Sequence, residues 1–102
     1  MKRAIQIDEI DNVATVTSDI ITGETVEVVS PKGVIILRAT ALDAIPFGHK
    51  IALTNLEKAG QVIKYGGTIG LASTSIRIGA WVHTHNVESA VVPTSRFRGT
   101  NA

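Results

Sequence analysis

The sequence predicts a mainly β domain of short strands folded back on one another, with at most one or two short helical turns. Two observations carry that expectation. Val, Ile and Thr together number 35 against five Leu, and β-branched side chains, stiff at χ1, suit a pleated surface better than a helix. Turn residues at Asp11-Asn12, Thr22-Gly23 and Ser30-Pro31-Lys32-Gly33 also divide the first part of the chain into short extended runs.

The elements follow in order. Residues 4–7, 13–17, 25–29 and 34–38 are extended runs separated by Asp11-Asn12, Thr22-Gly23 and Ser30-Pro31-Lys32-Gly33. A first hairpin is expected over residues 3–18, and the turn at residues 30–33 closes a second. Ala41-Leu42-Asp43-Ala44-Ile45 reads as a helical turn that Pro46 and Gly48 stop before another extended run at residues 50–53.

An approximate internal repeat runs through the chain: an apolar residue, two or three residues, Gly, two residues, Val. It occurs from Ile20 to Val26, from Leu56 to Val62 and from Ile76 to Val82. In each copy the apolar residue tucks inward, Gly supplies a φ > 0 turn and Val begins a strand, so three corners are expected. Their unequal spacing excludes a solenoid. Residues 1–92 read as one domain. Residues 93–102 have no period and read as a C-terminal arm, loose or docked on a partner.

At 102 residues and 10.8 kDa, one small domain is expected to bury roughly 60–65% of the surface its unfolded chain exposes. Such a domain has little room for an enclosed site, so a pocket shared with another subunit is the expectation. The formal charge is only +1 and the basic residues are scattered. With Phe47, Tyr65, Trp81 and Phe97 dispersed as well, nucleic-acid binding is not expected. Cysteine is absent, which removes disulfides, a thiolate nucleophile and sulfur ligands. The start turns acidic at Asp8-Glu9 before any signal-like apolar run, and no stretch approaches about 18 apolar residues. A cytoplasmic protein with no membrane contact is expected.

The chemistry-bearing residues concentrate in His83-Thr84-His85-Asn86. On an extended strand, His83 and His85 would share one face with Trp81, about 6–7 Å apart along the backbone. They would form a two-histidine half-site that oxygen donors or another chain completes; imidazole with oxygen suits Fe(II), Mn(II) or Zn(II). Two polar side chains exposed at a strand end are the plainer alternative. In Phe47-Gly48-His49-Lys50, a Lys beside a His can hold a carboxylate or phosphate, or simply be solvated at a turn. Tyr65-Gly66-Gly67-Thr68-Ile69-Gly70 permits a tight loop whose amides can face an anion, although its spacing is neither a P-loop nor a dinucleotide fingerprint. Tyr65 is a hydrogen-bond donor there or a structural tyrosine. No Ser-His-Asp arrangement and no paired-carboxylate site emerge.

Taken together, Ile45-Pro46-Phe47-Gly48-His49-Lys50-Ile51-Ala52-Leu53, Lys64-Tyr65-Gly66, Ile69-Gly70-Leu71-Ala72 and Trp81-Val82-His83-Thr84-His85-Asn86 resemble the SAF-domain module of the altronate/galactarate dehydratase family over about residues 8–90. The resemblance implies a β-clip (SAF-type) fold. It also implies a small subunit that works beside a large catalytic dehydratase subunit, as in the related sulfolactate sulfo-lyase; self-association is left open. The implied reaction dehydrates a small hydroxy acid of the altronate or galactarate type to a 2-keto-3-deoxy acid, assisted by Fe(II) or Mn(II). By the same resemblance His49, Lys50 and Tyr65 are the catalytic candidates and His83 and His85 the metal ligands. The isolated chain is then expected to be inactive. A non-catalytic β-clip binding module and a sulfolactate sulfo-lyase small subunit are the alternatives.

Overall fold

In the computed structural model the described residues are 1–89, and they form nine strands: β1 (Lys2–Ile5), β2 (Val13–Val16), β3 (Thr25–Val29), β4 (Ile35–Thr40), β5 (Lys50–Ala52), β6 (Gln61–Lys64), β7 (Gly67–Ala72), β8 (Trp81–Val82) and β9 (Val87–Glu88). The arm proposed at residues 93–102 lies outside the described residues. Six strands make one sheet in the order β4-β3-β1-β2-β5-β8, and β6-β7-β9 make a second. The two expected hairpins are present: β1 pairs antiparallel with β2, and β3 with β4. β1 also runs parallel to β3, with Ala4 opposite Val28. This is the mainly β, folded-over SAF-type architecture.

The period of two along β2 and β5 divides the interior. Ala14, Val16 and Ile51 point into one buried cluster with Ile20, Val26, Val28 and Ile45, whereas Val13 and Ala52 point the other way, into a second cluster with Val62, Ala72, Ile76 and Val82. Small side chains at Ala14, Ala52 and Ala72 let the strands approach closely enough to seal both cores without large aromatics. The same alternation turns Lys50 toward the second cluster's side and Trp81, opposite Ile51, toward the first.

The corners number four, in two pairs. Ile20 bridges to Ile45, and Leu56 to Ile76. Three residues beyond each stands a positive φ: Gly23 (92°), Gly48 (83°), Ala59 (72°) and Gly79 (92°). At every corner that residue's N–H donates to a carbonyl leading into the partner corner: Gly23 to Ala41, Gly48 to Val16, Ala59 to Ala72 and Gly79 to Ala52, at 2.7–3.0 Å. Asp19 Oδ1 accepts from the Phe47 amide, and Asn55 Oδ1 from the Ile78 amide, at 2.8 Å each, so the two pairs are built alike. Gly79 packs so tightly that an added Cβ would overlap the Thr40 carbonyl oxygen.

Two expectations need correction. The helical turn at residues 41–45 does not form, because its backbone is already paired outward. The Ala41 amide donates to Glu24 O, the Leu42 amide to Gly79 O, and Ile45 exchanges both bonds with Ile20. That segment opens a corner from Ile45 to Ile51 that the Val-ended pattern misses, since Ile51 stands where the pattern requires Val. At the Leu56 corner, moreover, the left-handed residue is Ala59 rather than Gly60.

Candidate active site

The segment His83-Thr84-His85-Asn86 is not extended. β8 ends at Val82, and a turn follows, because buried Asn86 braces it from inside. Asn86 Oδ1 accepts the His83 amide at 2.9 Å, and its Nδ2 donates to Trp81 O at 2.8 Å. The Asn86 amide closes the turn on His83 O at 3.1 Å. The two-face strand picture of His83 and His85 is therefore corrected. Both rings gather on Trp81 instead, with centroids 5.6 Å from it for His83, nearly parallel at 6°, and 4.8 Å for His85.

His49 joins them from the neighbouring corner. Its ring lies 4.6 Å from that of His83, and its Nδ1 accepts the Trp81 indole N–H at 3.2 Å. With Nδ1 accepting, the neutral ring carries its proton on Nε2. The corner places His49 just before β5 while β5 pairs with β8, Lys50 opposite Val82 and Ile51 opposite Trp81. Sequence-distant rings thus meet through one short ladder. Asp43 fixes the other end of that ladder, accepting the Trp81 amide at 2.9 Å.

Electrostatics favour a neutral His83. Loss of surrounding water lowers its pKa below the usual histidine value, and His49, Lys50 and His85 push the same way. Lys50 is half-buried, and that burial lowers its pKa too, followed by Lys64 with Tyr65 opposing. A groove of about 330 Å³ opens between Lys50, His83, Thr84 and Glu88, over Ile69 and Val87. β9 closes against β7 there because Gly70 has no Cβ to meet Val87 and Glu88.

Tyr65 stands apart from the imidazoles, at the exposed tip of the β6–β7 hairpin. The glycine-rich stretch is no loop, since Gly67 and Gly70 lie within β7. Only Tyr65 (φ 58°) and Gly66 (φ 75°) turn, the two successive positive φ values of a type I′ hairpin turn. Their amides do face an anion, and it is the protein's own: buried Asp11 accepts Tyr65 N at 3.1 Å, Gly66 N at 2.9 Å and Asp8 N at 3.0 Å. Lys64 Nζ sits 4.8 Å from the Tyr65 ring.

Of the five site residues expected from sequence, the fold gathers His49, His83 and His85 around Trp81 and sets Lys50 beside them, while Tyr65 touches none of the rings. No group of three or more His, Cys, Asp or Glu disposed to hold a metal occurs among the described residues; the imidazoles alone offer part of a coordination shell. Trp81 as a donor to His49, Asn86 as the buried brace, and Thr84 and Glu88 as groove residues were missed. A lone Trp two residues before the first His, and an Asn directly after the second, were the signals available for the first two.

Comparison with known proteins adds the lineage. The family profile described as "Altronate/galactarate dehydratase SAF domain" matches residues 2–90. The altronate dehydratase of Escherichia coli (strain K12) is 35% identical over 94 residues, 92% of this chain and 18% of that protein. The altronate dehydratase of Bacillus subtilis (strain 168) is 39% identical over 89 residues, 87% of this chain and 17% of that protein. The (2R)-sulfolactate sulfo-lyase subunit alpha of Paracoccus pantotrophus is 44% identical over 52 residues, 51% of this chain and 78% of that protein. The chain thus spans less than a fifth of the length of the altronate dehydratases it matches.

Proposed function

The chain belongs to the altronate/galactarate dehydratase SAF-domain family, and we propose that it is the small subunit of a hydro-lyase that dehydrates a sugar acid to a 2-keto-3-deoxy acid, together with a large catalytic subunit. The observation that carries this reading is the gathering of His49, His83 and His85 on Trp81 beside half-buried Lys50, at an open groove in a module whose altronate dehydratase relatives are more than five times its matched length.

The chemistry asks for what those groups can offer. A C–H bond breaks α to the carboxylate, a C–O bond breaks at the next carbon, water departs, and the enol left behind becomes the 2-keto acid. The α proton is weakly acidic, so removing it needs a positioned base and strong stabilisation of the developing charge. His49, whose Nδ1 already accepts the Trp81 indole N–H, has its Nε2 left to face a substrate hydroxyl. Lys50, which lines the groove, is the group to hold a carboxylate. His83 and His85 are the residues to hold Fe(II) or Mn(II), with further ligands from the partner or substrate. When bound, such an ion supplies Lewis-acid stabilisation of negative charge.

A sulfonate-eliminating lyase is the second reading, favoured by the 44% identity to the sulfolactate sulfo-lyase subunit alpha. Coexpression of the chain with a large dehydratase subunit, followed by a screen of altronate, galactarate and sulfolactate with Fe(II) or Mn(II), tests both. Keto-acid formation from a sugar acid that needs both polypeptides supports the first reading. Release of sulfite from sulfolactate alone supports the second, and no turnover with any of the three contradicts both.

A further inference from the structure

Lys50 is the unusual cation of this fold. The ion pairs among the described residues are Lys2–Glu24, Arg3–Glu27 and Arg38–Glu27, and among those residues no hydrogen bond or ion pair engages the Lys50 side chain. A half-buried ammonium without a counterion costs free energy that a purely structural residue would avoid. Lys64 opposes its charge and Tyr65 favours it, while Glu88 lines the same groove without an ion pair among the described residues.

The walls of the groove are equally specific. Thr84 presents a hydroxyl and His83 an imidazole, Ile69 and Val87 supply an apolar floor, and Glu88 stands at the rim without an ion pair among the described residues. A bare sulfate has acceptors only, and Glu88 would repel it. A hydroxy acid differs, because its charged end accepts from Lys50 while its hydroxyls donate to Glu88 and accept from Thr84. A volume of about 330 Å³ lies at the small end of the range for small-molecule pockets.

We propose that the Lys50–Thr84–Glu88 groove is a binding site for the anionic end and adjacent hydroxyls of a small hydroxy acid, and that this chain binds such a ligand without its large partner. Lys50 holds the carboxylate or sulfonate, and Thr84 and Glu88 select for hydroxyls. The identity of the acid rests on the hydro-lyase reading; the binding itself does not.

The test is an NMR titration of the 102-residue chain with galactarate, with isethionate as the sulfonate probe and galactitol as the uncharged control. The signals followed are the Lys50 CεH2 group and the Ile69 and Val87 methyls. Saturable shifts with galactarate or isethionate and none with galactitol are expected, and the tighter of the two anions names the charged group. Lys50→Met should weaken binding about tenfold or more, the loss of one charge-assisted hydrogen bond, while Lys50→Arg retains it. Glu88→Gln should narrow the preference for galactarate over adipate, its hydroxyl-free counterpart. Absence of shifts with both anions, or unchanged affinity in a folded Lys50→Met chain, overturns the proposal. Lost binding with turnover intact in the two-subunit complex would strike the groove alone. Intact binding with no turnover would strike the hydro-lyase reading alone.

Discussion

The Trp81 indole N–H points at His49 Nδ1 across 3.2 Å, so a residue on one strand sets the tautomer of a histidine on the corner before its neighbour. Trp81 also carries the ring of His83 face to face. One aromatic side chain therefore orients two of the three imidazoles. The expected outcome is that the neutral His49 ring carries its proton on Nε2, read from ring nitrogen shifts in a two-dimensional 1H–15N spectrum. Trp81→Phe keeps the apolar contact and removes the donor, so both His49 tautomers should then be populated. An Nδ1–H tautomer in the wild-type chain would contradict the assignment.

The turn that follows depends on Asn86. Its side chain both donates to Trp81 O and accepts from His83 N in a part-buried position, and no other side chain among the described residues bonds either group. Asn86→Ala should cost about 1–3 kcal/mol in urea unfolding and release the His83 ring from Trp81, seen as loss of its ring-current shift. A variant with unchanged stability and unchanged His83 shifts would argue against this bracing role.

At the corners, Ala59 holds a conformation that glycine would adopt more easily. Ala59→Gly should stabilise the chain by about 0.5–1 kcal/mol, relief of left-handed strain outweighing the added freedom of the unfolded chain. Gly79→Ala should do the reverse and destabilise by at least about 2 kcal/mol, since strain and overlap with the Thr40 carbonyl coincide. Equilibrium urea denaturation of the two variants checks both signs.

Much of this architecture is legible in the sequence because corners leave chemical marks. Ile20, Leu56 and Ile76 announce three of them through an apolar residue followed by a nearby glycine. The fourth, at Ile45, hides because its strand opens with Lys50-Ile51 and because Ala41-Leu42-Asp43-Ala44 has the local composition of a helix. Only pairing with Glu24, Ile20 and Gly79, distant in sequence, decides against that helix. The site is legible as a set of residue types and not as a geometry. A strand period applied to His83 and His85 fails once the buried Asn86 amide bends the chain. Tyr65 was grouped with the histidines by motif, although the hairpin carries it away from them.

Acid should loosen the first corner. The Glu24 pKa is lowered, first by the Ile21 amide hydrogen bond to its carboxylate and then by Lys2. A carboxylate whose folded pKa lies below its unfolded value stabilises fully above the unfolded value and loses that contribution as pH falls through the folded one. Stability should therefore drop as pH falls below 4.5, the ordinary glutamate value, and Glu24→Gln should flatten that limb in urea midpoints measured from pH 3 to 6. Parallel profiles for the two chains would contradict the assignment.

Lys50 sets binding against stability. Its half-buried charge has no ion-pair partner among the described residues, so Lys50→Met should raise the Tm of the free chain even as it removes the cation. An added hydroxy acid should then raise the Tm of the wild-type chain and leave that of the variant unchanged. A lower Tm for a well-folded Lys50→Met chain would mean that Lys50 is a structural support.

Turnover of the two-subunit complex bearing His83→Ala and His85→Ala together is the decisive measurement. The variant chain should still assemble with the large subunit while keto-acid formation falls by at least about 100-fold, as expected when the imidazoles that would hold a charge-stabilising ion are lost. Turnover within a factor of about two of wild type in an intact complex would contradict it.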